Sequence, residues 1–226
     1  MIGHVAFDFD GTLVRSNQIK RDCFHETLAD VPGAAAILDD LFASGYRGDR
    51  FALFGEVARR LGPGGMIGVP EPDELAAGYG QLCRERIAAA PEVPGAAAAL
   101  TRLAAEGVRL FLISATPQQA LNEVIADRGL TRFFDLVLGA PTGKPAHLRR
   151  VIEACGIDAA DIVMVGDGRD DQAAALDIGC RFVAVTDQPN APLGNVGTSI
   201  PDLRDLLRIL GLSEPAEVAP AEGSKR

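Results

Sequence analysis

Short apolar runs and amphipathic stretches follow one another along most of this chain. Five runs are rich in Val, Ile, Leu and Phe and are bounded by polar or turn-forming residues, a pattern typical of strands covered on both faces of a sheet. The predicted strands are 2–9, 109–114, 134–138, 161–165 and 180–185. Between them lie helical stretches that open with proline and close with glycine: 94–107, 117–129 and 145–156. This alternation predicts an α/β fold with a Rossmann-like, doubly wound parallel sheet.

The region 16–92 interrupts that alternation, because it contains helical spacing but no buried-strand run. It is far longer than an ordinary connection of roughly 2–6 residues, so we predict a separate all-helical domain over the end of the first strand. Packing of these helices directly on the sheet is the alternative. A final helix is expected at 201–210. The predicted domains are 1–15 with 93–212 (sheet), 16–92 (helical) and 213–226 (a disordered tail rich in Glu, Pro and Ala).

Charge and cysteine content exclude several functions. The formal net charge is −9, which argues against a nucleic-acid-binding face. No apolar run approaches the roughly 18 residues of a membrane span. The four cysteines stand far apart, and with no signal-peptide pattern they indicate free thiols in a reducing cytoplasm. We therefore expect a cytoplasmic protein with no nucleic-acid or membrane partner, either a monomer or a homodimer.

The end of the first predicted strand carries two carboxylates, Asp8 and Asp10, followed at once by Gly11 and Thr12. In open parallel sheets, ligands bind beyond the carboxyl ends of the strands. Two acids at such an edge repel each other unless a cation lies between them. The sequence therefore predicts a cation-dependent site here.

Other strand ends supply polar residues to the same edge. Ser114 ends the second strand, Lys144 follows the third, and Asp167 and Asp171 follow the fourth. Thr116 also lies there, and it is a better candidate than Ser114 for capping the next helix. Two unit charges about 4 Å apart cost about 4 kcal/mol at an effective dielectric near 20, so these acids need a divalent cation and the lysine when an anionic ligand arrives. Hard oxygen ligands and a phosphate partner favour Mg²⁺.

These motifs, in this order, resemble the haloacid dehalogenase-like (HAD) phosphohydrolase superfamily. They are Asp-Phe-Asp-Gly-Thr, a serine after an apolar strand, Gly-Lys-Pro and a late Gly-Asp-x-x-x-Asp. The resemblance extends from residue 2 to about residue 210, and the helical region is similar to the type-one cap of the phosphoglycolate phosphatase and phosphoglucomutase branch. The first and last motifs are specific, whereas the serine and Gly-Lys-Pro are weak alone.

The resemblance implies a role for each matching residue. Mg²⁺ would be held by the Asp8 carboxylate, the Asp10 main-chain carbonyl and Asp167, with Asp171 supporting from the side. Lys144 would neutralise charge beside the nucleophile. Ser114 and the backbone N–H groups around Asp10 and Gly11, followed by Thr12, would bind phosphate oxygens.

The implied reaction is hydrolysis of a small phosphate monoester through an aspartyl-phosphate. Asp8 would attack phosphorus. Asp10 would protonate the leaving oxygen and then deprotonate water. An acid at position 10 argues against dehalogenase and phosphonatase members. The alternatives are a phosphosugar mutase of the same branch and a phosphate-sensing module without turnover, although an acid–base group at Asp10 argues against a stable acyl-phosphate.

The sequence leaves the role of some residues open. Asp170 could replace Asp171 as the acidic partner, and Lys144 could be a solvated lysine at a helix start. In the helical region, Arg47 and Arg50 lie in a Gly-containing turn and could bind a second anionic group of the substrate. Arg15 and Lys20 are alternatives for that role near the hinge.

Overall fold

A six-stranded parallel sheet forms the centre of the computed structural model, which describes residues 2–46, 48–65, 68–186 and 198–212. The strand order is β3-β2-β1-β4-β5-β6. The strands are β1 His4–Phe7, β2 Arg109–Pro117, β3 Leu136–Ala140, β4 Ile162–Gly166, β5 Arg181–Val185 and β6 Ser199–Ile200. The sequence prediction of a doubly wound α/β sheet is confirmed, with β1 near its middle.

The strand residues alternate between two buried layers. Val5 and Phe7 point to one face and Ala6 to the other, because side chains of a strand alternate in direction. Helices cover both faces, so both kinds of position must be apolar. From residue 96 onward, the described helices are α5 Ala96–Ala105, α6 Gln118–Asp127, α7 Lys144–Cys155, α8 Arg169–Ile178 and α9 Leu206–Ile209.

Four helices occupy the chain between β1 and α5. They are α1 Asn17–Thr27, α2 Ala34–Ala43, α3 Arg50–Gly65 and α4 Pro72–Ala88, and together we call them the helical segment. Regular helical backbone in α3 breaks at Gly62 (φ 70°, ψ 176°), at the start of the run Gly-Pro-Gly-Gly. The helix α2 was not predicted from the sequence.

The helical segment leaves and re-enters the sheet region at one place. The Arg15 N–H donates to Pro91 O at 2.9 Å, the Val93 N–H donates to Leu13 O at 2.9 Å, and Val14 forms an antiparallel bridge with Glu92. Apolar side chains of the segment also join the buried layer on one face of the sheet in a single cluster. The helices of the segment therefore pack on one another, and the segment joins the sheet layer through this shared apolar cluster, with α4 packed against α6.

Several elements differ from the prediction. The second strand continues to Pro117, and the third lies at Leu136–Ala140, two residues later than expected. The first strand is shorter than expected, and Asp8 follows it with its N–H still bonded to Val165 O at 2.9 Å. The helix expected at 201–210 is a short 3₁₀ turn, Leu203–Asp205, followed by the four-residue α9. The two-residue strand β6 was not predicted, because so short an element has no periodicity. The predicted tail 213–226 lies outside the described residues.

Within those ranges, none of the helices has both the length and the apolar character that a membrane crossing needs.

Candidate active site

The predicted site residues of the sheet lie together at the carboxyl ends of β1, β2 and β4 and at the start of α7. Asp8 is 5% exposed and follows the central strand. Asp167 follows β4, and Asp171 lies in the first turn of α8. One carboxylate oxygen from each of these three residues lies within 4.8 Å of the others. Asp8, more than 150 residues before the other two, thus joins them in one acidic cluster.

Lys144 lies among these acids and is 7% exposed. Its Nζ is 3.2 Å from Asp8 Oδ1, 2.6 Å from Asp171 Oδ1 and 2.8 Å from an oxygen of Asp170. Burial alone would lower the pKa of Lys144, but the surrounding carboxylates, Asp8 foremost, raise it above its ordinary value. The lysine is therefore a buried, charged group, and the solvated-surface alternative is wrong.

The cluster carries more negative charge than the lysine balances. Burial, followed by the charge of Asp171, raises the pKa of Asp8 well above its ordinary range. Burial also raises the pKa of Asp171 to about 7 and that of Asp167 above its usual value. Burial is the first cause of each shift, because it penalises the charged form of a carboxyl group, and the charge of Lys144 offsets it only in part.

These residues fit a divalent cation. Asp8 Oδ1 is buried and accepts no hydrogen bond in the described part of the chain, with Lys144 opposite it only as an ion-pair partner. All three side chains offer hard oxygen ligands, which suit Mg²⁺. Asp170, by contrast, has a pKa lowered by Lys144 against the effect of burial, and its side chain is 57% exposed. Asp171 is the buried member of that pair, fully enclosed at 0% exposure.

Gly11 and Thr12 hold the loop after β1 against Asp167. Gly11 has φ +78°, and a Cβ at this position would collide with the side chains of Asp167 and Asn17. The Thr12 hydroxyl donates to Asp167 Oδ1 at 3.0 Å, and Asn17 Nδ2 donates to Oδ2 at 2.7 Å. Both carboxylate oxygens of Asp167 are thereby oriented from the β1 side.

Asp10 is held by a separate set of donors. The Ser16 hydroxyl donates to Oδ1 at 2.6 Å, the Thr116 hydroxyl donates to Oδ2 at 2.7 Å, and Lys20 Nζ pairs with Oδ2. Burial acts to raise the pKa of Asp10, but the charge of Lys20 and these hydrogen bonds outweigh it and lower the pKa. The pKa of Asp10 is therefore lowered, whereas the pKa values of Asp8, Asp167 and Asp171 are raised.

Ser114 is buried within β2, 1% exposed, and its Oγ accepts the Thr116 N–H at 3.1 Å. Neither hydroxyl caps the following helix: α6 begins after Pro117 without a side-chain cap. The expectation that Thr116 is a cap is therefore wrong, because its hydroxyl is engaged by Asp10 and Lys20.

A cavity of about 840 Å³ lies between this edge and the helical segment. Asp10, Thr116 and Lys144 line its sheet side. The opposite wall is mainly apolar and includes Phe24, Tyr79 and Ile87 of the helical segment.

Arg50 lies on the helical side of this cavity. Its Nε is buried without a hydrogen-bond partner, and no ion pair to it occurs within the described ranges. The guanidinium lies over Phe51 at 5.0 Å, and a Cβ at Gly80 would come within 3.3 Å of Nη1. Arg47, the other predicted arginine, falls outside the described residues.

Sequence reasoning missed the contacts that hold Asp10. The sequence suggested Lys20 only as a possible ligand for a second anionic group of the substrate. It suggested no role for Ser16 or Asn17. Their nearness to the Asp-x-Asp loop in sequence was the available signal, since a helix starting directly after the loop brings its first turns back toward it.

Comparisons with known proteins agree with this geometry. A profile of the haloacid dehalogenase-like hydrolase family matches residues 2–179. A phosphoglycolate phosphatase of Rhodospirillum rubrum is 30% identical over 93% of this chain and 92% of its own length. Phosphoglycolate phosphatase 1 of Pseudomonas aeruginosa is 29% identical over 90% of this chain and 78% of its own.

Solved structures share the fold. A protein of Haemophilus somnus described as a predicted phosphoglycolate phosphatase superposes with a TM-score of 0.75 at 21% identity, over 92% of this chain and 98% of its own. A Bacillus subtilis protein determined with bound magnesium has a TM-score of 0.71 at 16% identity, over the same shares. The strand-end motifs and these matches place the chain in the haloacid dehalogenase-like hydrolase family, as a phosphatase.

Proposed function

We propose that this phosphatase hydrolyses a small phosphorylated metabolite with the help of Mg²⁺ and through an aspartyl-phosphate. The observation that carries the proposal is the buried cluster around Asp8, in which a carboxylate oxygen has no hydrogen bond and one charged lysine stands among several acids. Such a cluster is costly without further positive charge, and a divalent cation meets that need.

The residues that would hold the metal are Asp8, Asp167 and Asp171, with the main-chain carbonyl of Asp10. When bound, Mg²⁺ would supply charge neutralisation for an incoming phosphate. Thr12 contributes by orienting Asp167. Asp171 touches Lys144 at 2.6 Å, so it also fixes the position of the lysine.

The chemical steps fall to two carboxylates with different surroundings. Asp8, beside Lys144, attacks phosphorus and becomes the aspartyl-phosphate. Asp10 protonates the departing ester oxygen and afterwards takes a proton from the water that attacks the intermediate. Lys144, Ser114 and main-chain N–H groups around Asp10 hold the phosphate oxygens as charge develops on them. The Gly11 N–H itself donates to Val14 O at 2.8 Å, so Gly11 serves this site through its backbone conformation.

We further propose that the helical segment is a cap domain, residues 16–92, over a core of residues 1–15 and 93–212. Arg50 would bind a second anionic group of the substrate, since its guanidinium faces the cavity without a carboxylate partner in the described ranges. Arg47 is proposed for the same role from its place in the sequence. The similar proteins of Rhodospirillum rubrum and Pseudomonas aeruginosa are named phosphoglycolate phosphatases. Phosphoglycolate carries a carboxylate as a second anionic group, so it is the first substrate to test.

The setting we propose is the reducing cytoplasm, where the free thiols of the four cysteines are maintained. The proposed partner is a small phosphate ester, bound by a monomer or a homodimer.

The first experiment is a phosphate-release assay on p-nitrophenyl phosphate and a panel of metabolite phosphates, with Mg²⁺ or with EDTA. We expect turnover with Mg²⁺ and a loss of about 1,000-fold with EDTA, since a metal supplies several kcal/mol of charge stabilisation. Undiminished turnover in EDTA after dialysis would contradict the metal role. Isomerisation of a sugar phosphate without net release would point to the mutase.

A further inference from the structure

Lys20 joins the helical segment to the acid–base residue of the sheet. It is the fourth residue of α1, and its Nζ pairs with Asp10 Oδ2. The same Nζ lies 3.1 Å from Thr116 Oγ1, at the end of β2. The lysine side chain is 29% exposed and lines the cavity, so it is close to the reaction without being sealed in the interior.

The direction of the hydrogen bonds follows from the chemistry of the three groups. A lysine ammonium can only donate, so Thr116 Oγ1 accepts from Lys20. The threonine hydroxyl is then left to donate its own hydrogen to Asp10 Oδ2, at 2.7 Å. Lys20 therefore acts on Asp10 twice: directly, and by setting the rotation of the Thr116 hydroxyl.

The two lysines at this edge serve different acids. Lys144 pairs with Asp8, Asp170 and Asp171. Lys20 pairs with Asp10 alone among the ion pairs formed by the described residues. The acid–base carboxylate thus has its own cation, which comes from the helical segment rather than from the sheet.

We propose that Lys20 is a positioning residue for Asp10, which holds its carboxylate in the orientation needed for proton transfer and makes that orientation depend on the place of α1. The inference rests on the proposed acid–base role of Asp10. Ser16, at 2.6 Å from Oδ1, fixes one oxygen from the start of the same helix, and Lys20 with Thr116 fixes the other. Displacing α1 would release the Lys20 and Ser16 contacts together.

The test compares Lys20→Met with Lys20→Arg and with the control Arg21→Met, which removes a cation from the neighbouring, exposed position of α1. The readout is kcat/KM for two esters: p-nitrophenyl phosphate, whose leaving group departs without a proton, and the alkyl phosphate of the panel that the wild type hydrolyses fastest. General acid catalysis supplies roughly 10²–10⁴-fold, and loss of its orientation should remove about 10–100-fold of this from the alkyl ester.

The expected pattern is a fall of that size for the alkyl ester in Lys20→Met and of less than about threefold for the aryl ester. Lys20→Arg should recover most of the loss, and Arg21→Met should match the wild type. An equal fall for both esters, or a change confined to KM, would overturn the proposal. Thr116→Val removes the hydroxyl without changing the lysine and should show a smaller fall with the same ester dependence.

A double-mutant cycle separates this inference from the function on which it rests. In an Asp10→Asn background, Lys20→Met should change kcat/KM for the alkyl ester by less than about threefold, because residues acting through one another are not additive. A full, unchanged effect of Lys20→Met in that background overturns the positioning role. If Asp10→Asn itself leaves the ratio of alkyl to aryl rates unchanged, the acid–base assignment fails instead.

Discussion

The two walls of the cavity differ in the polarity of their side chains. On the sheet side, which we call the catalytic edge (Asp8, Asp10, Lys144, Asp167 and Asp171), each ionic group is held by close polar partners. Lys144 contacts Asp8 and Asp171, while Asp10 and Asp167 accept hydrogen bonds from neighbouring side chains. On the helical side, the wall is mainly apolar, and its arginine at position 50 has no acidic partner in the described ranges.

This difference indicates how the work of the enzyme is divided. A set of enclosed ionic groups tolerates little change, because removing one group leaves another uncompensated. A wall of mainly apolar side chains, with an arginine that has no acidic partner among the described residues, can change in shape with little cost to the rest of the molecule. We therefore expect the catalytic edge to determine the reaction and the helical side to determine which ester is accepted.

The largest effect is expected at the nucleophile. Asp8→Asn keeps the shape of the side chain but removes its nucleophilic oxygen, so kcat/KM should fall on the order of 10⁴-fold or more. Because Asp8 is crowded by Asp171 and Asp167, the same variant should not lower the unfolding midpoint measured in EDTA. Residual turnover above a hundredth of the wild-type rate would remove Asp8 from the nucleophile's role.

Lys144→Met should have the next largest effect on the catalytic edge. Loss of one preorganised donor to developing charge costs about 10²–10³-fold in kcat, and here the lysine also separates Asp8 from Asp171. Without it, we expect a lower unfolding temperature in EDTA that Mg²⁺ partly restores. Calorimetry with and without the metal checks this, and an unaltered kcat would show that the lysine is only structural.

A smaller effect, limited to one class of substrate, is expected on the helical side. Arg50→Ala should raise KM about tenfold for an ester with a second anionic group, since a charged hydrogen bond contributes about 1.5–3 kcal/mol. The KM for p-nitrophenyl phosphate should change by less than about twofold. Arg47→Ala is expected to behave in the same way, with Arg21→Ala as the control. Equal KM values for variant and wild type would remove the arginine from substrate binding.

The smallest effect is expected away from both walls. Arg149 of α7 pairs with Asp177 of α8 at 2.5 Å, and both side chains are more than half exposed. Arg149→Ala should change the free energy of unfolding by less than about 1 kcal/mol, since exposed ion pairs are weak, and it should leave kcat and KM unchanged. A large loss of activity in Arg149→Ala would mean that changes far from the cavity perturb the site. The effects of variants in the two walls could then not be attributed to the walls themselves.

The sequence predicted the sheet and the convergence of the strand-end acids, because buried parallel strands and their terminal motifs leave strong local patterns. It could not predict the partners of Asp10. Lys20 is a polar residue on an amphipathic helix, and its pattern is the same whether it faces solvent or the cavity. Only the docking of α1 against β2 determines that, through contacts between residues 96 positions apart. For the same reason, the sequence could not decide whether Asp170 or Asp171 is the site residue. The burial of Asp171 and the exposure of Asp170 decide it.

The paired backbone where the chain leaves the sheet at residues 13–15 and returns at 91–93 has a consequence for the history and engineering of the molecule. The ends of the whole excursion lie a single hydrogen bond apart, so a turn of a few residues could join them. The cost of closing a loop grows only slowly with its length, about 0.6 kcal/mol for each doubling. Lineages could therefore exchange one excursion for another of different size without moving the strand ends, and a laboratory graft at the same two positions should be accommodated equally well.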